Sequence, residues 1–154
     1  MKIKLILSVL ICTLIVFACD DPDCIYQGGT SIKIGFYSDQ DGKSQNVRIN
    51  RLEIAGSDSL IVKTQVEVNS IILPINPSEE SITVFFDTEY GFDTLQIGYS
   101  RNTQFISEDC GIETRYGGLS LVRSDFDSVR VTRPSTDINF LDATVVNENI
   151  KVYN

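Results

Sequence analysis

Ile82-Thr83-Val84-Phe85-Phe86, then Glu89-Tyr90-Gly91-Phe92, then Leu95-Gln96-Ile97-Gly98-Tyr99 is the stretch on which the fold turns. Ile82, Val84 and Phe86 alternate with Thr83 and Phe85, the period of a strand with one buried face. Leu95, Ile97 and Tyr99 repeat that alternation after a glycine-containing loop, so the pair reads as a β-hairpin. Upstream, Ile32, Ile34 and Phe36 alternate with Lys33 and Gly35, and Asp39-Gln40-Asp41-Gly42 marks a hairpin-type turn. Val47 and Ile49 share one parity and Leu52 and Ile54 the other, which predicts a β-bulge or a bend at Asn50-Arg51. Ala55-Gly56-Ser57-Asp58 turns the chain into a short strand at Leu60–Val62, which Val66-Val68 extends. Ser70–Ile75 is a compact apolar run with Pro74 near its end, where the missing N–H is tolerated.

Downstream, Phe105-Ile106 leads through Ser107-Glu108-Asp109 to Cys110, Ile112, Thr114 and Tyr116, all of one parity and expected on one face. Gly117-Gly118 reads as another turn, and Leu119 and Leu121 precede a break at Ser124-Asp125. Val129 and Val131 stop before Pro134; Ile138 and Phe140, then Ile150 and Val152, finish the pattern, with Asn147-Glu148-Asn149 as the last turn. Helical periodicity is nearly absent. About eight to ten short strands at this spacing predict an all-β fold, an antiparallel β-sandwich of immunoglobulin-like type. It is expected as one domain over residues 30–154.

The N-terminus reads as an address. Met1-Lys2-Ile3-Lys4 is a short cationic start, and Leu5–Phe17 is apolar apart from Ser8, Cys12 and Thr13. That is the pattern of a secretory signal, and the run is shorter than the roughly 20 apolar residues of a membrane span. Val16-Phe17-Ala18-Cys19 has the form of a lipobox, with a bulkier residue than usual at Phe17. Residues 1–18 are therefore expected to be a lipoprotein signal, and Cys19 the lipidated residue, carrying palmitate-type acyl chains that anchor it in a membrane. The plainer alternative is an ordinary signal cut near Ala18, with Cys19 left as a thiol. Residues 19–29 follow as a stem. Its Asp20, Asp21 and Asp23 resemble a surface-export signal in Bacteroidetes-type sorting; in enteric sorting, Asp next to the lipidated Cys retains a lipoprotein at the inner membrane.

Of four cysteines, Cys12 leaves with the signal and Cys19 takes the lipid, which leaves Cys24 and Cys110. In an oxidising compartment they are expected to form a disulfide. It closes a loop of about 85 residues, worth on the order of 4 kcal/mol in the chain-entropy model. A thiolate metal pair is the weaker alternative, because the chain has no His and no CxxC. After residue 18 the chain keeps 11 of its 13 basic residues and all 21 acidic ones, a formal charge of −10 against −8 for the whole. Such a chain is not expected to bind nucleic acid or anionic lipid.

Several stretches resemble one family. Asp93-Thr94-Leu95-Gln96-Ile97-Gly98-Tyr99, Ser107-Glu108-Asp109-Cys110-Gly111, Leu73-Pro74-Ile75-Asn76-Pro77 and Asn149-Ile150-Lys151-Val152-Tyr153 are similar to the small Bacteroidetes lipoproteins of unknown function. Those share a lipobox, a second Cys soon after it, and a "CG" Cys in the latter half. The resemblance implies a lipid-anchored outer-membrane protein with a β-sandwich, at the periplasmic face or the cell surface, and brings no catalytic residue.

Chemistry is sparse. Asp39, Asp41 and Ser44 have alternate spacing, but Gly42 comes too early for a calcium loop. Asp87, Glu89 and Asp93 form a second acidic stretch, a weak calcium candidate set beside a plain solvated loop. No His stands as a base and no GxSxG elbow is present, so no enzyme and no cofactor are expected. Asp58-Ser59-Leu60, Asp93-Thr94-Leu95 and Asp127-Ser128-Val129 resemble the Asp-[Ser/Thr]-aliphatic acceptor of Bacteroidetes O-glycosylation, with Ser59, Thr94 and Ser128 as acceptors. The same dipeptides also simply begin strands. The leading expectation is a non-enzymatic accessory domain for an envelope partner such as an outer-membrane β-barrel. The alternative is a surface module that binds glycan or another small ligand through Tyr90, Phe92, Tyr99 or Tyr116, aromatics that serve equally well as core.

Overall fold

Alternating apolar residues need a second surface to bury against, and here two sheets supply it to each other. The computed structural model describes Cys24 and residues 29–57, 60–62, 64–136 and 148–154. Ten strands and no helix lie among them: β1 (Ser31–Tyr37), β2 (Val47–Ile54), β3 (Leu60–Val62), β4 (Val66–Val68), β5 (Ser70–Pro74), β6 (Ser81–Thr88), β7 (Gly91–Ser107), β8 (Gly111–Ser124), β9 (Ser128–Val131) and β10 (Ile150–Tyr153). One sheet runs β5-β1-β10-β9; the other runs β3-β2-β6-β7-β8, with β4 also paired to β2. The fold is a β-sandwich, antiparallel except where β1 and β10 pair in parallel.

The core is the inward parity of both sheets. Ile32, Ile34 and Phe36 of β1 and Ile150 and Val152 of β10 face Val84 and Phe86 of β6 and Leu95 and Ile97 of β7, all at most 1% exposed. Phe86 stands edge-on to Phe36 at 6.2 Å and to Phe126 at 5.2 Å, linking β1, β6 and the β8–β9 connection. Edge-to-face pairs of this kind add to the gain from burial itself. The bulge expected near Asn50 is present. Ile49 pairs with Thr88 and Arg51 with Asp87, so Asn50 is the extra residue, and Leu52 points inward as Ile49 does.

Two polar residues are buried at the joints. Asn149 is 7% exposed; its Oδ1 accepts from Lys33 N at 2.9 Å and its Nδ2 donates to Ser135 O at 2.9 Å. It ties the entry of β10 to β1 and to the chain leaving β9. The Thr136 hydroxyl lies 2.7 Å from Gly29 O and 2.8 Å from Tyr116 O, where its single proton serves one carbonyl at a time. A Cβ at Gly29 would stand 1.9 Å from Thr136 O, so only glycine fits there.

Several local expectations are corrected. The turn at Asp39–Gly42 does not join two paired strands of one sheet: β1 and β2 lie in different sheets, and its two sides are linked locally, by an isolated Tyr37–Ser44 bridge and hydrogen bonds such as Gln45 N to Phe36 O at 3.0 Å. Alternation reports which face of a strand is buried, not which sheet holds it. Gly117-Gly118 is not a turn but part of β8, with Gly118 at φ +62° beside a register shift between Gly98 and Ser100. β7 and β8 are therefore 17 and 14 residues long, where short strands were expected. Cys110, Ile112, Thr114 and Tyr116 do not share one environment: Tyr116 is 6% exposed and Ile112 is 70% exposed. Ile138, Phe140 and Asn147 lie outside the described residues.

Removing the central ring tests this core. Phe86→Ala is expected to lower unfolding stability by about 3–5 kcal/mol, read as a lower urea midpoint with an unchanged m value.

Candidate functional site

The sandwich has two unlike ends, marked by the two ends of β7. At one end the β7–β8 turn holds Glu108, Asp109 and Cys110, with Gly111 at φ +72° and Ser107 Oγ accepting from Cys110 N at 3.0 Å. Cys110 is disulfide-bonded to Cys24, with the two Cα atoms 5.4 Å apart and 86 positions apart in sequence. The expected pairing is therefore present, and it joins the stem to the tip of the longest hairpin. Cys19 lies outside the described residues.

At the other end, the outer face of the larger sheet carries an apolar patch. Cross-strand register places Arg51 opposite Asp87, Glu53 opposite Phe85, Asp87 opposite Phe92, and Phe85 opposite Thr94. All point away from the core. Phe92 is 83% exposed and Phe85 44%. Around them stand the Arg51–Glu53 ion pair at 2.6 Å and Asp87, whose Oδ1 accepts from Asn50 Nδ2 at 3.1 Å. The depression they line with Phe86 has a volume of about 130 Å³. Pockets that enclose small ligands span roughly 300–1,000 Å³, so this is a shallow surface rather than a cavity.

The aromatics expected at a ligand site are split. Tyr99 and Tyr116 are core residues, each 6% exposed and edge-on to one another at 6.2 Å, with Tyr99 OH donating to Asn76 O at 2.9 Å. Tyr90 and Phe92 are exposed. Phe85 was missed, because its neighbour Phe86 carried the inward parity; an apolar residue at the outward parity was the available signal.

Asp87, Glu89 and Asp93 are not brought to one point. Asp87 lies on the outer face and Asp93, opposite Phe86, has the other parity. Glu89 receives Arg48 N at 3.0 Å and sits beside its guanidinium at 3.9 Å. Among the described residues, no three His, Cys, Asp or Glu side chains are grouped to hold a metal ion. Asp93 instead neighbours Asp125 and Asp127; burial first, then these two charges, push its carboxyl above the ordinary value. Asp125 is held below its ordinary value, first by a hydrogen bond from the Thr94 hydroxyl. Thr94 is thus half-buried and engaged inside β7, which begins at Gly91 rather than at Asp93-Thr94. Ser128 opens β9 opposite Tyr153, as a strand-start reading expects, and Ser59 lies outside the described residues.

Two outcomes follow from this geometry. Cys110→Ser opens the long loop and is expected to cost about 4 kcal/mol of unfolding stability, matched by reduction of the unaltered protein. Asp93 is worse off ionised in the fold than in the unfolded chain, so it subtracts stability above its folded titration range, and that loss fades as pH falls through it. Asp93→Asn should therefore raise the thermal midpoint at pH 7, with the gain vanishing in acid; an equal gain at low pH would refute this sign.

No curated protein and no solved structure matches the chain. One family model does, over residues 46–153, from just before β2 to the end of β10. β1 and Cys24 fall outside that match, although β1 pairs with both β5 and β10 and Cys24 is bonded to Cys110. The match covers well over half of the chain, which therefore belongs to the family of unknown function DUF6452.

Proposed function

We propose that this chain is an exported, Bacteroidetes-type lipoprotein, anchored through Cys19 in the outer membrane, that docks on an envelope protein and performs no chemistry of its own. The anchor reading rests on the lipobox at Val16–Cys19 and on the cationic and apolar segment before it. The docking reading rests on the Phe85–Phe92 patch. Two exposed aromatics on the outer sheet face, rimmed by Arg51, Glu53 and Asp87, have the composition of a protein interface: an apolar centre with a polar edge. The patch is too shallow to enclose a glycan or small ligand, and two of the four aromatics proposed for that role are in the core. Phe92 and the disulfide-bonded turn lie at opposite ends of β7, on the order of 50 Å apart at strand rise. That separation suits a partner segment that extends well beyond the bilayer.

The test is a pull-down of the tagged, acylated full chain from gently solubilised native membranes, compared with Phe92→Ser and the double variant Phe85→Ser/Phe92→Ser. A stoichiometric partner held by the unaltered chain should be lost at least tenfold from the double variant, as for truncation of a hot-spot pair. Equal recovery from all three would reject the patch as the docking surface.

A further inference from the structure

The β7–β8 hairpin is built the wrong way round for a free ribbon. β6 pairs with β7 only as far as Gly98, so from Ser100 to Gly117 the two strands pair with each other alone on that side. On one face Gln104 stands opposite Glu113, which is only 5% exposed and accepts from Arg115 Nη2 at 2.9 Å. On the other face Phe105 stands opposite Ile112, and they are 66% and 70% exposed. Behind them comes the uncharged pair Thr103–Thr114. A carboxylate is thus covered while a directly paired Phe and Ile are bare. Ile106, next to the turn, is 44% exposed as well.

The chain supplies the reason. Ile112 is two residues from Cys110, which is bonded to Cys24, and Cys19 precedes Cys24 by five residues. Five residues span at most about 18 Å. The geometry points to the bare Phe105–Ile112 face as a second membrane contact, resting on the surface of the bilayer that holds the Cys19 acyl chains. This rests on the lipoprotein reading above. The occupant is a lipid surface of low charge, because Glu108 and Asp109 in the turn, with Asp20, Asp21 and Asp23 in the stem, are repelled by anionic headgroups. The carboxylates stay at headgroup level, and the ribbon lies obliquely with its apolar face down. One acyl attachment leaves a domain free to swing; a second, apolar contact sets which end faces outward. That orientation holds the Phe85–Phe92 patch away from the membrane.

The chain has no Trp, so a single introduced indole reports on its own site. Acylated full-length protein carrying Phe105→Trp is reconstituted into phosphatidylcholine vesicles with brominated acyl chains, beside the same protein carrying Phe92→Trp. The expected result is a blue shift and quenching at position 105, none at position 92, and less quenching when phosphatidylglycerol replaces part of the lipid. No quenching at 105 in vesicles that still hold the protein would overturn the hairpin contact and leave the anchor standing. Position 105 shielded from acrylamide only in native membranes would assign the face to a protein and overturn it equally. Protein that fails to float, with an unacylated Cys19 by mass, would sink the anchor reading and this contact together.

Discussion

Phe86 depends on both of its neighbours and the sandwich depends on Phe86. Its ring, 1% exposed, reaches from the larger sheet to Phe36 of the smaller one and to Phe126 beyond the end of β8. Each sheet taken alone would leave one apolar face in water, a cost that neither strand pairing nor hydrogen bonding offsets. The contact between the faces is therefore what makes the strands persist. The bulge at Asn50 serves the same contact, since without the extra residue Ile49 and Leu52 would point to opposite faces.

The joints are handled by polar groups rather than by more apolar surface. β10 enters between β1 and β9, a central position in the smaller sheet. Asn149 ties that entry with both ends of its amide, and the parallel β1–β10 pair follows from that entry point. Thr136 and Gly29 play a similar part where the stem meets the domain, one by a hydroxyl set between two carbonyls and the other by having no side chain. Buried polar groups that find partners cost little, and those that lose them cost much.

The proposed role rests on the distribution of surfaces among the described residues. The disulfide ties the N-terminal stem to one end of β7, and the exposed Phe85–Phe92 face lies at the other. A disulfide-bonded turn at one end and an exposed apolar face at the other is the arrangement the proposed envelope role uses. Membership in a family of unknown function adds the domain without adding an activity.

By itself the sequence determined the local facts. Period-two alternation at Ile32–Phe36, Ile82–Phe86 and Leu95–Tyr99 decided the strands and their inward faces, because alternation is set by the pleat and needs no partner. The parity switch at Asn50 was legible for the same reason, and the expected Cys24–Cys110 pairing is the disulfide present. Only the tertiary structure decided what depends on distance. It placed β1 and β2 in opposite sheets, ran β7 and β8 through Gly117-Gly118 as one long ribbon, set β10 parallel to β1, and turned Tyr99 and Tyr116 into core while leaving Phe85 bare. A glycine at positive φ ends a strand or bulges it depending on whether a neighbouring strand continues alongside, and an apolar residue is buried only if something covers it. Both conditions lie outside the local window, where the chain's own periodicity has no voice.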